Sequence, residues 1–214
     1  MAAVSETIVR EYFELHEFLV RQHRKFVGQT RPQDDDDIDF FVLNTRAEKP
    51  LRALPFVLTS EELPYVHRAV VAVKGWHTGI FTSALLEHSP EIFRFVEPRV
   101  FQHAIKAFGG DGNLLKLLVV PSLPQTETSR EQSIQLLRAK GVDAVIPFRT
   151  MLYDLVNATE TNKNYQKSDL LQIIRILKNY DFFREPQLEL FKPARTKTTK
   201  GRVRRSREAE QPDS

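Results

Sequence analysis

Cysteine is missing from all 214 residues of the chain. That absence excludes a disulfide scaffold and any thiolate zinc site, and it fits a reducing, intracellular setting. Long apolar runs are missing too: nothing approaches the roughly 20 residues needed to span a bilayer. The opening residues, Met1-Ala2-Ala3-Val4-Ser5-Glu6, lack a basic stretch followed by an apolar one. These absences predict a soluble, cytoplasmic protein with no membrane partner. The sequence also shows no phosphate-cradling glycine loop, no Ser/His/Asp set and no zinc-ligand spacing. Gly109-Gly110-Asp111-Gly112 reads as a helix stop and turn.

What is present is enough apolar material for a core: 41% hydrophobic residues, 15 of them Phe. One α/β domain over residues 1–191, followed by a basic, disordered tail over 192–214, is the expected organisation. The net charge of +3 belongs to that tail. From Lys192 onward eight Lys/Arg stand against three acids, a net of +5 that leaves the preceding body at −2. Such a tail attracts polyanions without sequence preference, or serves only solubility.

Periodicity predicts a helix over 6–17, with Ser5 as N-cap and Ile8, Val9, Tyr12 and Phe13 on one face. Residues 18–26 alternate like a strand with Arg21, Arg24 and Lys25 outward. A polar, acidic loop over 28–37 leads to a strand at 38–44, and a proline-containing insertion over 45–63 includes a short capped turn at 59–62. The next strand covers 69–74. Helices follow around Phe81, Leu85 and Leu86, and around Val100 to Phe108, the latter stopped by Gly109-Gly110. A strand at 114–120 precedes a helix with a capping box at Thr128-x-x-Glu131 and a stop at Gly141. The strand at 142–146 then pairs in parallel with its predecessor through a right-handed crossover. Helices over 149–159 and 169–180 complete an α-β-β-β-α-β-α-β-α-α order, an α/β domain with a mixed sheet.

Two of these strands carry a charge inside an apolar run: Ile38-Asp39-Phe40-Phe41-Val42 and Val70-Val71-Ala72-Val73-Lys74. An ammonium there needs a partner, and a carboxylate on the neighbouring strand, or a metal-bound oxygen beside it, supplies one. Plainer readings stand beside this one. Lys74 also fits a lysine snorkelling from a strand end, Asp39 the end of the acidic run, and Glu6 an ordinary first-turn acid. Trp76 fits a core position and His77 a surface one, while Arg21, Arg24 and Lys25 fit a solvated edge strand.

The helix, the three strands with Asp39 on the second and Lys74 on the third, and the helix and strand that follow resemble the PD-(D/E)xK, restriction-endonuclease-like nucleases. The N-terminal half is similar to archaeal Holliday-junction resolvases, in which a Glu opens the first helix and Gly-Phe leads into the first strand. Glu6 and Glu17-Phe18 stand at those places, with Glu where the family has Gly. The resemblance covers roughly residues 5–120. It implies that Glu6 and Asp39 hold Mg²⁺ or Mn²⁺, and that Asp39, Lys74 and His77 are catalytic in phosphodiester hydrolysis. Beside it, Arg21, Arg24 and Lys25 make a basic strand face suited to phosphate and Trp76 next to the Lys74 strand suits a substrate cleft, so nucleic acid, DNA first, is the expected partner, and the resemblance adds a homodimer as one way to cut two strands. The chain departs from the pattern at Ala72, where the family has its second metal-binding acid. The alternative expectation is a catalytically silent module of the same fold that binds nucleic acid or a protein.

Overall fold

The computed structural model describes residues 2–22, 37–50 and 52–183. The element order is α1 (Ala2–Leu15), β1 (Leu19–Gln22), β2 (Phe40–Leu43), β3 (Arg68–Val73), α2 (Ser83–His88), α3 (Pro98–Ala107), β4 (Leu115–Val120), α4 (Glu127–Ala139), β5 (Ala144–Pro147), α5 (Phe148–Ala158) and α6 (Asp169–Asn179). Two 3-10 turns, Ser60–Tyr65 and Pro90–Val96, interrupt the longer connections. The five strands form one mixed sheet in the order β1-β2-β3-β4-β5. β2 runs antiparallel to both its neighbours, whereas β3, β4 and β5 are mutually parallel.

The apolar runs are unbroken because the sheet is covered on both faces. Alternate residues feed two separate cores. Ala69 and Val71 of β3, with Leu117 and Val119 of β4, pack against Val9, Tyr12 and Phe13 of α1 and Met151 and Leu155 of α5. Val70, Ala72, Leu118 and Val120 pack on the other side against Phe81, Leu86, Phe95, Val100, Ala104 and Leu137. The insertion before β3 also has a structural task. Val57 bridges to Val145 in parallel, and Leu58 N–H donates to Val145 O at 2.9 Å, so this segment covers the outer edge of β5.

The expected elements are present, with two helices, α2 and α3, where the expected order has one, and with corrections at the helix starts. α1 begins at Ala2, so Ser5 lies inside the helix and is not its N-cap. α4 begins at Glu127 after Thr126, and no side chain caps it; Thr128 sits within its first turn. The capping box occurs instead at Thr59 and Glu62, on the expected short turn. β1 is described only over Leu19–Gln22. The remainder of the expected strand, with Arg24 and Lys25, and the basic tail lie outside the described residues. None of the described helices is long and apolar enough to cross a membrane.

Candidate functional site

Antiparallel pairing of β2 with β3 places Phe40 opposite Val71, which brings Asp39 to the end of β3. The Asp39 N–H donates to Val71 O at 2.9 Å. Its carboxylate Oδ2 accepts from the Val73 N–H at 2.7 Å, taking the place of a ladder carbonyl beyond the start of β2. Asp39 is 7% exposed, so the carboxylate closes this corner of the sheet. Lys74 follows at once. Its backbone N–H extends the β3–β4 ladder to Val119 O at 3.1 Å, and its Nζ stands 3.5 Å from the Glu91 carbonyl oxygen. Asp39 and Lys74 therefore flank Val73 at the carboxyl end of β3, where α/β sheets commonly place their ligands.

The N-terminal part of α1 borders the same end. Gly75 lets it approach: a Cβ on Gly75 would sit 2.5 Å from Ser5 Oγ and 3.1 Å from Ser5 Cβ. Ser5 is buried and shares a 2.9 Å hydrogen bond with His77 Nε2. The His77 ring meets the Phe148 ring edge-on at 4.6 Å, at the start of α5. Glu6, one residue on, turns to β1, where its Oε2 accepts from Gln22 Nε2 at 2.7 Å. Gln22 pairs with Phe40, the residue after Asp39. Trp76 is half-exposed, its ring 5.8 Å from that of Phe81. Arg21 lies over the Phe41 ring at 5.8 Å and lines a hollow of about 260 Å³ with Leu19, Leu43 and Phe108. Among the described residues, none of the other candidates (Glu6, Asp39, Lys74, Trp76 and His77) lines that hollow.

These residues fall short of a Mg²⁺ or Mn²⁺ shell. Hard cations need several oxygen ligands in a fixed arrangement. Here one Asp39 oxygen serves a backbone N–H, Glu6 is engaged by Gln22, and Ala72, where an acid is expected, is fully buried in the apolar core. Among the described residues no group of three or more His, Asp or Glu side chains is placed to hold a metal.

A second polar cluster lies between α1, the turn at Ser60–Tyr65 and α5. Ser60 Oγ donates to Asp154 Oδ2, and Tyr12 OH lies 3.3 Å from Ser60 Oγ. His16 Nε2 sits 3.6 Å from the same carboxylate oxygen, and the His16 and Tyr12 rings pack at 4.8 Å. Burial pushes the Tyr12 hydroxyl well above its ordinary range, more than the Ser60 hydrogen bond lowers it. Burial likewise holds His16 below the usual histidine value and lifts the Asp154 carboxyl above its own, each partly offset by the other's charge. The carboxylate bridges serine and histidine here, so His16 is not placed to take a proton from Ser60 as a base in a triad would. Positions so far apart in sequence carry no local signal, and neither did the Ser5–His77 pair.

No family model, curated protein or solved structure matches the chain.

Proposed function

We propose that this chain is a restriction-endonuclease-like module that binds nucleic acid at the carboxyl end of β3 without holding a metal of its own. Ala72 carries this reading: a methyl group sealed in the core stands where the resembled nucleases have a metal-binding carboxylate. The resemblance itself is supported by the run α1, β1, β2, β3, helices α2 and α3, β4 around one mixed sheet, and by Asp39 and Lys74 standing at the same end of β3, Asp39 on the Val73 N–H and Lys74 next in the chain. Glu17 adds to it. Its φ of 63° lies in the left-handed region that glycine enters without penalty, at the place where the resolvases have glycine. In this reading Lys74 supplies a point charge to a phosphate, with Arg21 and the expected Arg24 and Lys25 along the neighbouring strand.

Anisotropy of a labelled oligonucleotide, with EDTA and then with Mn²⁺, tests the proposal. Binding that survives EDTA, weakens severalfold in Lys74→Ala and gives no cleavage with Mn²⁺ is expected. The second reading, a Mg²⁺- or Mn²⁺-dependent endonuclease using Glu6, Asp39, Lys74 and His77, draws on the nearness of Asp39 to Lys74. Mn²⁺-dependent cleavage lost in Asp39→Asn would establish that reading and overturn the first.

A further inference from the structure

Trp76 is the only tryptophan in the chain, and it sits on the loop leaving β3 with 39% of its surface exposed. Ile80 on the same loop is 53% exposed. This loop is tied in place. Gly79 N–H donates to Trp76 O at 2.7 Å, Thr82 N–H to Ile80 O at 2.8 Å, and Phe81 N–H to Ser122 O at 3.0 Å just beyond β4. Ser122 Oγ also donates to Gly79 O at 3.3 Å. A Cβ on Gly79 would lie 3.1 Å from Trp76 O, so the turn is tight enough to favour glycine there. The indole is backed by the fully buried Phe81 ring. Lys74 lies two residues before it and His77 directly after, and His77 contacts Ser5 near the start of α1 and Phe148 at the start of α5.

We propose that Trp76 and Ile80 form a stacking platform for an unpaired nucleobase, making single-stranded nucleic acid, or a duplex with a released base, the ligand of this site. The inference rests on the nucleic-acid reading above and narrows its substrate class. A base inside a duplex offers no free face to an indole, whereas an unstacked one does, whatever its identity. Two exposed apolar side chains on the loop that follows Lys74 suit one base and its phosphate. A stable protein interface needs far more, about 800 Å² from each partner.

Because Trp76 is the sole tryptophan, its emission reports the contact directly. The full chain is titrated with a single strand of about 12 nucleotides, its duplex, and the same strand with abasic sites, while anisotropy of a labelled copy is followed in parallel. The single strand is expected to quench the emission, and the duplex and abasic strand to leave it unchanged. Trp76→Ala is expected to weaken single-strand binding by roughly 5- to 100-fold, and Trp76→Phe by less. Ile80→Ser, which keeps the fluorophore, serves as a second variant and is expected to weaken binding severalfold; circular dichroism confirms that each variant is folded. Single-strand binding with unchanged emission, and equal affinity for the abasic strand and Trp76→Ala, overturns the platform and leaves the nucleic-acid reading intact. No binding of any oligonucleotide overturns both. Self-association lost in Trp76→Ala, with no oligonucleotide bound, overturns the platform in favour of a protein interface.

Discussion

Replacing Asp39 by Ala deletes the acceptor of the Val73 N–H, so loss of activity in that variant confounds chemistry with folding. Asn keeps an acceptor oxygen and removes only the charge. In urea unfolding, Asp39→Ala is expected to lose about 1–3 kcal/mol and Asp39→Asn clearly less. The half-buried pair His16 and Asp154 sets a second expectation. Depressed by burial, His16 takes up its proton in the unfolded chain first as pH falls through about 6.5. Its contribution to stability is therefore present above that pH and lost on acidification towards its folded-state value. Asp154, raised by burial, acts with the opposite sign: stability returns as pH falls through its folded-state value towards the ordinary 3.8. Tyr12 and Ser60 face this pair, and Glu62 lies close enough to act on Tyr12. Unfolding free energies measured from about pH 8 to 6 are expected to fall less steeply in His16→Gln than in the native chain.

Four helices end in one way. Behind α1, Phe18 N–H reaches Phe13 O at 3.0 Å and Glu17 N–H reaches Glu14 O at 3.0 Å, with the two phenyl rings 5.3 Å apart. The same pair of bonds closes α3 at Gly109, α4 at Gly141 and α6 at Asp181. All four of these residues have positive φ. Glycine occupies two of the positions, and Glu17 and Asp181 are strained in the others. Gly141→Ala has room for its methyl group, since the nearest atom is 3.9 Å away, so its expected loss of about 1 kcal/mol is conformational alone. Glu17→Gly gives up an exposed ion pair with Arg46 yet is expected to gain about 0.5–1 kcal/mol. Thermal melts of both variants check the two signs. The glycine stops were legible in the sequence because glycine advertises its backbone. The end of α1 was less so, because packing of Phe18 on Phe13 holds Glu17 where glutamate has no preference to be.

At the scale of the whole molecule, charge and shape are supplied by different parts of the chain. The net +5 from Lys192 onward is expected to attract any polyanion. The platform at Trp76 belongs to the folded body. Removing the residues after Phe191 is expected to lower affinity and flatten the dependence on salt, while single strands continue to quench Trp76 emission. Quenching that vanishes with the tail, under conditions where the body remains folded, counts against a binding surface on the sheet. Anisotropy from about 50 to 200 mM salt provides the slopes.

Read alone, the sequence determined most of the element order and an α/β domain with a mixed sheet, while burial of that sheet on both faces came from the structure. The order and the sheet follow from apolar periodicity and from glycine at helix ends, which are local properties of the chain. It also brought Asp39 and Lys74 to notice, since a charge inside an apolar strand is costly enough to demand a partner. Only the tertiary structure decided what those charges touch. Strand register put the Asp39 carboxylate on the Val73 N–H, and the approach of α1 over Gly75 gave Ser5 to His77. Register and helix docking are set by long-range packing, which no single stretch of sequence encodes.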